Sequence, residues 1–124
     1  MLDLIIKNGK CYIDKNLNEV DIGIQNSKIV KIGKIDEDAS QSIDATGLTV
    51  LPGCIDTQTH FREPGSTDTE DLASGSRAAI VGGITSVFEM PNTNPATTNK
   101  AEFQRKIDLA KNRMYCNHAF YFGA

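Results

Sequence analysis

The sequence predicts an α/β protein in which a β-rich opening precedes a β-α-β-α-β segment. Three observations predict it. From Leu2 to about Leu51, short apolar stretches alternate with polar residues at the strand period, and no helical periodicity is visible. Pro52-Gly53 marks a change. Beyond it, apolar β-type runs alternate with segments whose apolar residues recur at helical spacing.

Each element follows in order. Leu2, Leu4 and Ile6 alternate with Asp3, Ile5 and Lys7, and Asn8-Gly9 reads as a turn. Val20, Ile22 and Ile24, the turn Asn26-Ser27 and the return Ile29–Ile32 read as a hairpin. Ile43 and Leu48–Leu51 are two further short strands. After Pro52-Gly53, Cys54–Gln58 is a strand. Thr67 opens a helix with Glu70 three residues later, as in a capping box, and Gly82-Gly83 ends it. Ile84–Met90 is the second strand and Pro91–Pro95 a loop. Asn99, with Glu102 three later, caps a helix that runs to about Arg113, and Tyr115–Phe122 is the third strand. Such units build parallel sheets with right-handed crossovers, so the candidates are a doubly wound sheet or part of a (β/α)8 barrel. A whole barrel needs about 200 residues or more, so this chain has room for three of its eight strands. The expected domains are 1–51 and 52–124.

Composition narrows the function. At 124 residues, 40% hydrophobic and 23% charged, the chain is long and apolar enough to bury a core. A net charge of −3, no Lys/Arg run and 6% aromatic residues argue against nucleic-acid binding. No stretch is apolar enough to span a membrane, and the N-terminus does not read as a secretion signal. Cys11, Cys54 and Cys116 are widely spaced and odd in number. That excludes a cysteine-based zinc module, fits a cytoplasmic protein and predicts three buried thiols.

The candidate chemistry gathers at strand ends. Asp56, Gln58, His60 and Arg62 share one face if the first parallel strand stays extended through position 62. The C-terminal end of that strand is where ligands bind in both α/β architectures. Arg62-Glu63-Pro64-Gly65 reads as a tight turn that aims a guanidinium fork suited to a carboxylate. Asn92 falls on the same rim after the second strand, able to donate to and accept from a ring amide. Glu89, inside an apolar strand, needs a cationic partner or water, and Arg62 is a candidate partner. His118 in the third strand reads first as a hydrogen-bonded core residue and second as a residue of the same interior.

These residues carry a resemblance. Pro52-Gly53-Cys54-Ile55-Asp56-Thr57-Gln58-Thr59-His60-Phe61-Arg62-Glu63-Pro64-Gly65 resembles the first barrel strand and loop of the dihydroorotases, in the amidohydrolase superfamily. Glu70–Ala79 is similar to their first barrel helix. Gly82-Gly83-Ile84-Thr85 and Met90-Pro91-Asn92-Thr93-Asn94-Pro95 are similar to their second strand and its loop. The resemblance implies the first three strands of a (β/α)8 TIM barrel beside part of a small β-sandwich, the sandwich being built from both chain ends. It implies interconversion of N-carbamoyl-aspartate and dihydroorotate in pyrimidine synthesis, zinc as cofactor, a homo-oligomer and aspartate carbamoyltransferase as a partner. Arg62 and Asn92 match the positions that hold the substrate, and His60 a metal position. Allantoinases resemble the segment too, and hydantoinases are further relatives. A buried Arg without an anion is costly, so Arg62 favours dihydroorotase.

Two departures stand out. The family's His-x-His is Gln58-Thr59-His60 here, and an amide oxygen is a weaker zinc ligand than imidazole. Gln58 is therefore a weak ligand or none, and a catalytically inactive, partner-binding homologue is the alternative. The bridging Lys, the later metal His residues and the catalytic Asp have no counterpart within 124 residues, so no catalytic residue is assigned and the segment alone is expected to be inactive.

Overall fold

A computed structural model describes residues 1–124. The chain divides into two compact units, Met1–Pro52 and Gly53–Ala124.

The first unit is a single five-stranded sheet. Strands β1 (Leu2–Ile13), β2 (Asn16–Gln25), β3 (Lys28–Gly33) and β4 (Ala39–Asp44) lie in the order β3-β2-β1-β4, and the short β5 (Thr49–Val50) also pairs with β1. β1 and β2, and β2 and β3, are antiparallel, while β4 and β5 run parallel to β1. The β2–β3 turn has positive φ at both Asn26 (50°) and Ser27 (59°), the geometry that matches the twist of a two-residue hairpin. Asn8-Gly9 is not a turn. Asn8 has φ 61° and sits in a register shift within one continuous strand. Its N–H donates to Asp21 Oδ1 at 2.9 Å, which satisfies the donor the bulge takes out of the ladder. Leu2, Ile5 and Ile35 form this unit's core cluster.

The second unit is a three-stranded parallel sheet, β6 (Cys54–Thr59), β7 (Ile84–Glu89) and β8 (Asn117–Phe120), in sequence order. Helix α1 (Leu72–Val81) packs on β7 and helix α2 (Lys100–Ala110) on β8. The two helices touch each other, so they cover the same face. Phe61, Leu72, Val87, Ala110 and Cys116 are buried beneath them. On α1, Leu72, Gly75 and Ser76 are buried and Ala79 packs on the core, the i, i+3, i+4, i+7 stripe of an amphipathic helix.

The start of α1 corrects the expected cap. The N-cap is Asp71, not Thr67, and the box closes with Ser74 rather than Glu70. Residues before Asp71 are held in turns by Thr69 N–H and Glu70 N–H donating to Ser66 O. Gly82 ends α1 and Asn99 caps α2 by accepting from Glu102 N–H, both as expected, although α2 stops at Ala110, short of Arg113. Cys11 and Cys116 are buried, but Cys54, at the head of β6, is exposed.

Gly75 gives a sharp packing test. A Cβ there would lie 2.6 Å from the Phe61 ring. Gly→Ala inside a helix normally stabilises by about 0.5–1 kcal/mol. Here overpacking outweighs that gain, and Gly75→Ala should destabilise by about 1–3 kcal/mol in denaturant unfolding. A more stable variant would refute the packing assignment.

Candidate functional site

The rim at the C-terminal ends of β6 and β7 gathers most of the candidate residues. β6 ends at Thr59, and its pairing is irregular between Asp56 and Thr59. The expected single face through Asp56, Gln58, His60 and Arg62 is therefore not formed, because the chain leaves the strand before His60. Asp56 Oδ1 accepts from Gln58 N–H at 2.9 Å, a local turn that takes up the carboxylate. His60 and Arg62 lie in the loop that follows.

His60 and Asn92 meet. His60 Nδ1 is 2.9 Å from Asn92 Oδ1. An amide oxygen only accepts, so in the neutral ring Nδ1 carries the proton and Nε2 keeps its lone pair. The contact also uses the acceptor of Asn92 and leaves its Nδ2 as the group free to donate. Arg62, Ser66, Asn92 and Thr93 are among the residues lining a cavity of about 120 Å³. Arg62 is exposed. The burial cost that favoured an anionic ligand therefore does not apply in this structure, and what remains is the guanidinium fork beside Asn92.

The two rim loops are fastened together. Ser66 N–H donates to Arg62 O at 2.8 Å, closing a wider turn than the four-residue one expected. Asn94 N–H donates to Pro64 O at 3.0 Å. Gly65 has φ 129°, which favours glycine, and a Cβ there would come within 3.1 Å of Asn94 Cβ.

Two carboxylates beneath the rim have cations of their own. Glu63 is buried and makes a bidentate pair with Arg113, at 2.7 and 2.9 Å, while Oε2 also accepts from Leu72 N–H at 3.0 Å. It therefore ties the Arg62 loop to the first turn of α1, where a negative charge favours the helix dipole. Glu89 pairs with Lys106 of α2, not with Arg62. Both side chains are fully buried. Burial pushes the Glu89 carboxyl up to about 7, and contact with the Lys106 ammonium opposes that rise.

Gln58 and His118 lie elsewhere. Gln58 is exposed and lines a second cavity with Met90, Tyr121 and Phe122. Cys116, His118 and Phe120 alternate onto one side, and Cys116 and Phe120 belong to the core under the helices. His118 lies on that side but is exposed, its ring tilted 52° to that of Phe120 with centroids 5.5 Å apart, so it is not the core residue expected and does not join the rim. A broader depression of about 820 Å³ in the first unit is lined by charges of both signs, including Lys7, Lys34, Glu19 and Asp36. Its Asp21 already accepts from two backbone N–H groups, so no set of free groups converges there.

The family model described as the amidohydrolase family matches residues 49–123. The chain belongs to the amidohydrolase family. It is 43% identical over 123 residues to a dihydroorotase of Methanothermobacter thermautotrophicus, covering 99% of this chain and 28% of that protein. It is 45% identical over 113 residues to an allantoinase of Salmonella choleraesuis, covering 90% and 25%. Among solved structures it superposes on an L-hydantoinase of Arthrobacter aurescens with TM-score 0.89 at 34% identity, covering 99% and 28%. The chain thus spans about a quarter of the length of these relatives.

Amidohydrolases are generally metal-dependent, so the donors of these residues bear on whether they could hold a metal ion. No group of three or more His, Cys, Asp or Glu side chains converges. Residues 1–124 do not fit a metal ion by themselves, and His60 Nε2 is the single free imidazole donor on the rim.

Lys106 and Arg113 escaped the sequence reading, although both left a signal. Lys106 falls on the stripe Phe103-Lys106-Ala110 of α2, a charge at a core position, and Arg113 continues it one turn on. The turn pattern of Arg62–Gly65 hides the role of Glu63, whose partner Arg113 lies far along the chain.

The Glu63 clamp has a pH signature. Burial opposes its ionisation, but hydrogen bonds from Arg113 and from Leu72 N–H outweigh burial and hold the carboxyl below its ordinary range. A depressed folded-state value adds stability above the unfolded value, and that stability is lost as pH falls through the folded one. Glu63→Gln should cost about 1–3 kcal/mol near neutral pH. The gap to wild type should narrow as pH is lowered below the ordinary glutamate range in denaturant titrations. Parallel stability–pH curves would refute the clamp.

Proposed function

We propose that this chain forms part of a dihydroorotase-type cyclic amidohydrolase, which interconverts dihydroorotate and N-carbamoyl-aspartate. The observation that carries the reading is the placement of Arg62 beside Asn92 on one small rim cavity. Dihydroorotate joins a ring amide to a carboxylate. A guanidinium fork takes the carboxylate through two hydrogen bonds. The free Nδ2 of Asn92 donates to the ring, since its Oδ1 is held by His60. The 43% identity to a dihydroorotase over nearly the whole chain supports the same substrate.

The architecture proposed for the second unit is the start of a (β/α)8 barrel. Strand order follows sequence order, and both helices lie on one face, which supports barrel winding over that of a sheet covered on both sides. Residues 1–51 are proposed as part of the small β domain that accompanies it. In this reading His60 Nε2 is the contribution of this segment to a zinc site completed elsewhere, and Gln58, placed in a different cavity, is not a ligand. A cytoplasmic homo-oligomer remains part of the proposal, as does association with aspartate carbamoyltransferase.

A second reading has its own observation. The 45% identity to an allantoinase supports a ring substrate without that carboxylate. Arg62 separates the two. In the complete protein, Arg62→Lys keeps the charge and loses the fork, so it should weaken dihydroorotate binding by about 1–3 kcal/mol. The Michaelis constant for dihydroorotate should rise accordingly. Turnover of allantoin above that of dihydroorotate, or an unchanged Michaelis constant for dihydroorotate in the variant, would overturn the assignment.

A further inference from the structure

We propose that Lys106 is a positioning residue whose buried ammonium anchors the loop carrying Asn92 and so sets where Asn92 meets His60 and the substrate. The proposal rests on the dihydroorotase-type reading for its substrate, but its structural half stands apart from that reading.

Lys106 lies on α2, away from the rim cavity, and its side chain is fully buried. An ammonium has three donors, and three acceptors surround this one. Nζ pairs with the Glu89 carboxylate, donates to Met90 O at 3.1 Å and donates to Thr93 Oγ1 at 3.4 Å. The Phe120 ring closes another side, with its centroid 5.6 Å from Nζ. Met90 and Thr93 bracket Asn92. One cation therefore holds the loop on both sides of the residue that orients His60.

An ordinary structural ion pair does not need this arrangement. A buried Lys–Glu pair is poor value for stability, because desolvation offsets much of the attraction. Glu89 Oε1 has no hydrogen-bond partner among the protein groups. A hydrophobic pair of similar size would pack α2 on β7 and β8 at least as well. What it would not do is reach Met90 O and Thr93 Oγ1 from beneath the sheet end. The loop has further ties in Thr97 N–H to Pro91 O and Asn94 N–H to Pro64 O, so a lost anchor shifts the loop without unfolding it.

The test separates position from stability in the complete protein. Lys106→Met alone leaves Glu89 buried and unpaired, so it is combined with Glu89→Leu, which removes both charges. The double variant should keep the thermal midpoint of wild type to within a few degrees. Its Michaelis constant for dihydroorotate should rise, and kcat/KM should fall by about 10–100-fold, the range expected for a misplaced binding group. Amide hydrogen exchange at Asn94 and Thr97 should accelerate while Val87 and Phe88 in β7 stay protected. Thr93→Val, which keeps the ion pair, should move the same quantities less far and in the same direction, and it decides the matter if the double variant does not fold. Wild-type kinetics with unchanged exchange would overturn the proposal, as would a fall in active fraction at constant Michaelis constant. Faster exchange at Asn94 and Thr97 in a protein that does not turn over dihydroorotate would uphold the anchor and reject the substrate reading instead.

Discussion

Two cations seven residues apart hold the site. Lys106 on α2 and Arg113 just beyond its end each reach a buried carboxylate beneath one rim loop, Glu89 at the end of β7 and Glu63 after β6. Loop backbone at a sheet end has lost its ladder partners and must find others. Here the carboxylates and their cations supply them at Leu72 N–H and Met90 O, and Lys106 also reaches the Thr93 hydroxyl. The cost is desolvation of four charged groups in a domain with a small core, and the return is that both loops are fixed relative to α2. Asn94 N–H to Pro64 O then locks the loops to each other.

The consequence for chemistry lies in which polar groups remain free. Asn92 gives its acceptor to His60 and keeps its donors. His60 gives Nδ1–H and keeps the lone pair on Nε2. Arg62, projecting from a turn closed by Ser66 N–H, keeps its whole fork. On the proposed reading, a donor amide, a guanidinium and an imidazole lone pair on one rim take an anionic cyclic amide. They fit membership of the amidohydrolase family, whose relatives here include proteins named for three different cyclic amides.

Much of this was legible in the sequence, and the rest was hidden for physical reasons. Strand and helix periods located all five elements after Pro52, and Asn99 and Gly82 marked helix ends, because those signals act over one turn of chain. The Thr67 cap failed because a competing Asp71–Ser74 box sits closer to the apolar stripe that begins at Leu72. The Asn8-Gly9 turn failed because a left-handed residue serves a bulge as well as a hairpin. The shared face from Asp56 to Arg62 failed because strand alternation ends where pairing ends, and the sequence does not mark Thr59 as the last paired residue. The partners of Glu63 and Glu89 are contacts across 50 and 17 positions of chain, which no local pattern encodes, although a lysine on the buried stripe of α2 was a visible anomaly.

The most direct measurement is a crystal structure of the complete protein with dihydroorotate bound. The account predicts the substrate carboxylate bidentate on Arg62, Asn92 Nδ2 donating to the ring, and Asn92 Oδ1 still facing His60 Nδ1. A carboxylate held elsewhere with Arg62 left in solvent, or an Asn92 turned away from His60, would contradict it.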